Sequence, residues 1–132
     1  MKKIVVMLVA VFLLAGCTSK PVMNMENEIV PTDVRGGQYT VQQVESAILS
    51  ATRKRGWSPK IIKPGLIEAT ISVRSHRATI EIPYTSNHYS IHYKDSQNLN
   101  YDDGSIHRNY NNWVVKLART IQDEMGVNSQ KY

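Results

Sequence analysis

Four histidines, eleven carboxylates and a single cysteine are the side chains of this 132-residue chain best equipped for chemistry. His88 and His92 stand four apart in an alternating stretch. On a strand that spacing separates them by about 13 Å, too far to share one metal ion. No HExxH or Cys-His spacing accompanies His76, His88, His92 or His107, so neither a metal nor a cofactor is expected. Asn98-x-Asn100-x-Asp102 follows the opening spacing of a calcium loop. The glycine falls one place late, however, at Gly104, and Asn109 stands where a bidentate glutamate is needed. A polar loop with Asx-turns and a tight turn at Asp102-Asp103-Gly104 accounts for the same residues. Nucleophilic catalysis finds no G-x-S-x-G elbow. The carboxylates are scattered, and Glu68 and Glu81 share an exposed sheet face that offers little leverage on carboxyl acidity.

The elements that position these groups follow from periodicity. Thr40 and Gln43 form a capping box, with Tyr39 and Val44 at the staple positions. Val41, Val44, Ala47, Ile48 and Ala51 then recur at helical spacing until Gly56. The basic run Arg53-Lys54-Arg55 falls in the last turn, where the helix dipole favours cations. Ile67, Ala69, Ile71 and Val73 alternate with polar residues, as do Ala78, Ile80, Ile82 and Tyr84. A two-residue loop at Ser75-His76 would set Arg74 against Arg77, Ile71 against Ile80 and Ile67 against Tyr84, with every apolar residue on one face. A third strand spans 88–94, with His92 opposite Glu81 on the polar face. Trp57–Lys63 supplies a fourth, demoted to an edge by Pro59. Tyr110, Trp113, Val114, Leu117, Ile121 and Met125 form the stripe of a final helix. The expected fold is α+β and two-layered: helix, four-stranded antiparallel meander, helix, with both helices on one sheet face. Tyr84, Tyr89, Tyr93, Tyr110 and Trp113 are then core, and Tyr101 is the exposed aromatic.

Composition bounds the rest. The formal charge of +5 falls to +3 if residues 1–16 are removed with Lys2 and Lys3. No basic stripe or nucleic-acid module is visible, so nucleic acid is not an expected partner. Lys2 and Lys3 precede an unbroken apolar run over 4–14, too short to span a bilayer but suited to a secretory leader. The run closes on Leu14-Ala15-Gly16-Cys17, which resembles the lipobox of bacterial lipoproteins. That resemblance implies a cleaved leader over 1–16, acyl chains on Cys17 and a lipid anchor. Thr18, in place of aspartate, implies forwarding to the outer membrane, facing the periplasm. Residues 17–37 read as a flexible tether of about 25 Å, with a docked edge strand through Glu28–Val30 as the alternative. Residues 38–132 read as one domain with a short disordered tail.

A second resemblance runs from Arg55-Gly56-Trp57 through Tyr89-Ser90-Ile91 and Asn98-Leu99-x-Tyr101 to Ile106-His107, Asn109-Tyr110-Asn111 and Trp113. The pattern is similar to a group of small proteobacterial lipoproteins. It covers most of 40–125 and implies no activity, so no role passes to a residue beyond Cys17. The expected function is a non-catalytic binding module of the cell envelope, with an envelope protein or polymer as partner. Its candidate surfaces are the 95–112 loop (Asn98, Asn100, Tyr101, Asp102, Asp103, His107) and the polar sheet face (Thr79, Glu81, His92). The alternatives are a small envelope hydrolase around His107, Asp102 and Asp103, or an assembly factor or inhibitor that adds an edge strand to a partner sheet.

Overall fold

A computed structural model describes residues 18–126. The expected leader, Cys17 and the end of the C-terminal tail lie outside the described residues. In chain order the elements are β1 (Ser19–Pro21), β2 (Met25–Ile29), α1 (Val41–Lys54), β3 (Trp57–Lys63), β4 (Leu66–Val73), β5 (His76–Pro83), β6 (His88–Gln97), β7 (Ser105–His107) and α2 (Arg108–Glu124).

Both helices form for the reasons their sequences carry. Gln43 N donates to Thr40 Oγ1 at 3.1 Å and Thr40 N to Gln43 Oε1 at 2.8 Å, closing the capping box. Val44, Ala47, Ile48 and Ala51 are buried, whereas Val41 lies on the exposed rim of the stripe. Helix α2 buries Tyr110, Val114, Leu117 and Ile121 and stops at Gly126, whose positive φ ends the last turn. The basic end of α1 also ties the helices together. Lys54 pairs with Glu124, and Arg55 Nε donates to Thr120 Oγ1 at 2.6 Å.

The sheet is α+β in class as expected but is not a four-stranded meander. It has five antiparallel strands in the order β2-β6-β5-β4-β3, with a separate two-stranded ribbon of β1 and β7. Of the three extra strands, β1 and β2 come from the stretch read as a tether and β7 from the stretch read as the 95–112 loop. Met25 pairs with Ile91 and Glu28 with Tyr89, while Ser19 pairs with His107 and Pro21 with Ser105. Val30 enters the core, and Asp33 closes a turn by accepting from Arg35 N and Gly37 N. Among the described residues the strands therefore begin at Ser19, twenty residues before Tyr39.

The β4–β5 hairpin is displaced by two residues from the expected register. Its turn is Arg74-Ser75, Val73 pairs with His76, Arg77 with Ser72, and Ile67 with Ile82. A shift of two preserves the faces, so Ile67, Ala69, Ile71, Ala78, Ile80 and Ile82 still point into the core. The turn is fixed from outside: Asn98 Nδ2 donates to Ser75 O at 2.7 Å, and His76 Nδ1 donates to Asn98 O at 2.6 Å. Strand β6 runs on to Gln97 through a bulge at Lys94, where Ile80 faces Tyr93 and Thr79 faces Asp95. Only 98–104 remains as loop. Tyr84, Tyr89 and Tyr110 are buried, and Tyr93 and Trp113 pack partly buried against the core.

Candidate functional site

Where β2 stops pairing, β6 is left with a neighbour on one side only. Asn24 Oδ1 accepts from Tyr93 N at 2.9 Å, and beyond it the 98–101 loop folds back along the strand. Between strand end and loop lies an open groove of ≈ 600 Å³ lined by Tyr93, Lys94, Asp95, Ser96, Asn98, Leu99, Asn100 and Tyr101. The loop holds its shape through local conformation. Asn98 (φ 58°) and Asn100 (φ 54°) take the left-handed conformation that asparagine tolerates. Leu99 between them is buried, and its carbonyl accepts from His107 N at 2.8 Å.

Three tyrosines form a stack from core to solvent. Tyr110 is fully buried and meets Tyr93 edge-on at 5.6 Å between ring centroids. Tyr93 lies parallel to Tyr101 at 4.5 Å, with 15° between planes. Tyr101 is 47 % exposed, so its ring is presented to water on a fixed support. The Tyr93 and Ser96 hydroxyls are bonded at 2.8 Å. Burial pushes the Tyr93 phenol up, opposed by the Ser96 bond. Asn100, Asp102 and Asp103 are exposed beside this stack. Asp103 and Gly104, both with positive φ, make a two-residue turn closed by paired bonds between Asp102 and Ser105.

His107 serves structure. Its Nδ1 accepts from Asn109 N at 3.2 Å as the N-cap of α2, and its ring stacks on His76 at 6.5 Å. The envisaged hydrolytic group of His107, Asp102 and Asp103 is thus split between a helix cap and a hairpin turn. Asn98 is likewise spent on holding the β4–β5 turn.

The polar sheet face pairs within itself. Lys94 Nζ reaches Glu68 Oε2 at 2.6 Å and Glu81 Oε1 at 3.2 Å, which offsets the repulsion of two glutamates directly opposed across β4 and β5. The bond to Glu68, then that to Glu81, holds the Lys94 ammonium above its usual range. Thr79 and Thr70 share a hydroxyl bond at 3.0 Å. His92 faces Glu81 across the strands as expected, but its charged neighbour is Glu26 of β2. Nε2 lies 2.8 Å from Oε1 yet out of line for a hydrogen bond. Among the described residues no group of three His, Cys, Asp or Glu side chains converges as a metal site would require. No helix among them is long and apolar enough to cross a membrane.

Of the expected surface residues, the structure therefore brings Tyr101, Asn100 and Asn98 together at one groove. Thr79, Glu81 and His92 stand on the paired sheet face. Tyr93, read from alternation as core, is the support of the site. Nothing in its local sequence distinguishes it from Ile91, two residues earlier on the same face. Comparison with family models, curated proteins and solved structures finds no match for this chain.

Proposed function

We propose that the chain is a lipid-anchored protein of the cell envelope, held by acyl chains on Cys17 at the periplasmic face of the outer membrane, that works by binding. Its ligand is a hydroxyl-rich envelope polymer seated on Tyr101. The supporting observation is the Tyr101 ring, stacked on Tyr93, which is backed in turn by buried Tyr110. A flat aromatic with its position already fixed loses little freedom on binding, and it suits the C–H face of a sugar ring. Asn100, Ser96 and Asp95 line the same groove and offer the donors and acceptors that hydroxyl groups need.

The test is co-sedimentation of the detergent-solubilised protein with isolated peptidoglycan sacculi. Tyr101→Ala is expected to weaken retention about tenfold, a loss of about 1.4 kcal/mol. A photo-crosslinker placed at Tyr101 should capture glycan fragments, whereas one at Thr79, on the internally paired face, should not. Equal retention of parent and variant, or no retention of either, would sink the glycan reading.

A further inference from the structure

The replacement of the expected tether by β1 has a geometric result. Thr18 is already fastened, its carbonyl accepting from Arg108 N at 2.8 Å, and Ser19 pairs with His107. His107 stacks on His76, which closes the β4–β5 turn against Val73. One end of the fold thus gathers the point where the chain leaves toward Cys17, the Arg74-Ser75 turn and the start of α2. From Thr18 the chain runs past Gly104 and Tyr93 toward His88, away from that end. The Pro64-Gly65 turn is at the opposite end of β4.

The end that carries Thr18 is basic. Lys20, Arg74, Arg77 and Arg108 are exposed there, and none forms an ion pair with a described residue. The nearest acids by register are Asp95, opposite Thr79, and Asp102-Asp103, whose turn sits at the far end of the β1–β7 ribbon. Two of the arginines stand where local physics favours other residues. Among the described non-glycine residues with positive φ, four are Asn or Asp, and the fifth is Arg74 at 57°. Arg108 opens α2, where the helix dipole favours an acid, and the first turn holds none. Residues that break local rules without helping the fold point to a surface under another constraint.

We infer that this end of the fold, with Arg74, Arg77, Arg108 and Lys20 around the exit of the chain at Thr18, docks onto the phosphate headgroups of an anionic bilayer. The inference rests on the lipid-anchor reading above. With only the Cys17–Thr18 peptide link between acylated residue and fastened chain, the basic end is brought within the few ångströms over which salt water leaves charges unscreened.

The test uses the full-length protein purified from membranes and reconstituted in phosphatidylethanolamine–phosphatidylglycerol vesicles carrying a nitroxide on some headgroups. A fluorophore is attached through Ser75→Cys at the basic tip or Pro64→Cys at the opposite tip. These tips are separated by β4, about 26 Å of strand. Quenching several-fold stronger at position 75 than at 64 is expected, with Arg77→Glu plus Arg108→Glu abolishing the contrast. Equal quenching at both tips, or a contrast that survives the two reversals, overturns the docking surface. The parent chain separates the two premises. An acylated Cys17 has no thiol to label, so maleimide uptake by the parent removes the anchor and the docking surface with it. A thiol-silent parent with equal quenching removes the docking surface alone.

Discussion

Buried hydroxyls without partners are the points where single residues can be read most directly. Tyr110 has no exposed surface and its hydroxyl has no hydrogen-bond partner, so burial, and then the nearby Tyr93, force its phenol far above the usual range. An unpartnered hydroxyl is a net cost to folding, and Tyr110→Phe should raise unfolding stability by about 1 kcal/mol in urea titrations. Tyr84 is the opposite case, nearly buried but bonded to the Glu45 carboxylate. Burial, then that bond, pushes it up to about 12. The unfolded phenol loses its proton first, near the ordinary value of about 10. The stabilisation from Tyr84 is therefore full below that pH and is lost as pH rises through about 12. Urea midpoints should fall across that window, and Tyr84→Phe should flatten the fall. The two misplaced arginines carry a third expectation. Arg74→Gly relieves left-handed strain, worth ~1 kcal/mol, and Arg108→Glu turns the dipole term favourable by ~0.3–1 kcal/mol. Both variants should melt higher than the parent and, on the docking inference, show a weaker quenching contrast between positions 75 and 64.

At the scale of elements, legibility followed the range of the forces. The helices were readable because Thr40, Gln43, Gly56 and the apolar stripes are all local signals. Strands β4 and β5 were readable because an eight-residue alternation has one greasy face whichever register it takes. The register itself was not. Arg74-Ser75 lacks the Gly or Asn that marks a tight hairpin, and the bonds that hold it come from Asn98, more than twenty residues away. Strand β2, Met-Glu-Asn-Glu-Ile, is short and charged, with a left-handed residue at Asn27, so it shows no sustained alternation. Asn27 N instead donates to Ser90 Oγ at 3.0 Å, a bond invisible from either sequence neighbourhood. The groove was half legible: Tyr101 and Asn100 stood out as loop residues, but the Tyr93 support did not. A variant that begins at Tyr39, harmless if 17–37 were a tether, uncovers the β6 edge and removes Val30 from the core. It should express as aggregate or unfold at clearly lower urea than the full chain.

The described residues form a five-stranded sheet and two helices around one shared core, with a self-paired polar network on the exposed sheet face. The Tyr101 groove and the basic end stand among its unpartnered surfaces. The two are not interchangeable, since one offers an uncharged ring with amide and hydroxyl neighbours and the other offers unpaired cations. They adjoin, since Asn98 lines the groove and also holds the Arg74-Ser75 turn through Ser75 O. There is also a temporal side to the way residues 18–30 are fastened. Their hydrogen bonds run to Asn87, Ser90, Tyr93, Gly104, Arg108 and Asn111, and their strand partners lie within the same late region. This segment thus has nothing to hold until Asn87 and the strand that follows it have emerged from the ribosome, and its bonds to Arg108 and Asn111 wait for the last helix. A stretch made so long before its partners waits as bare polypeptide and docks late, which leaves it open to handling enzymes through most of the chain's synthesis.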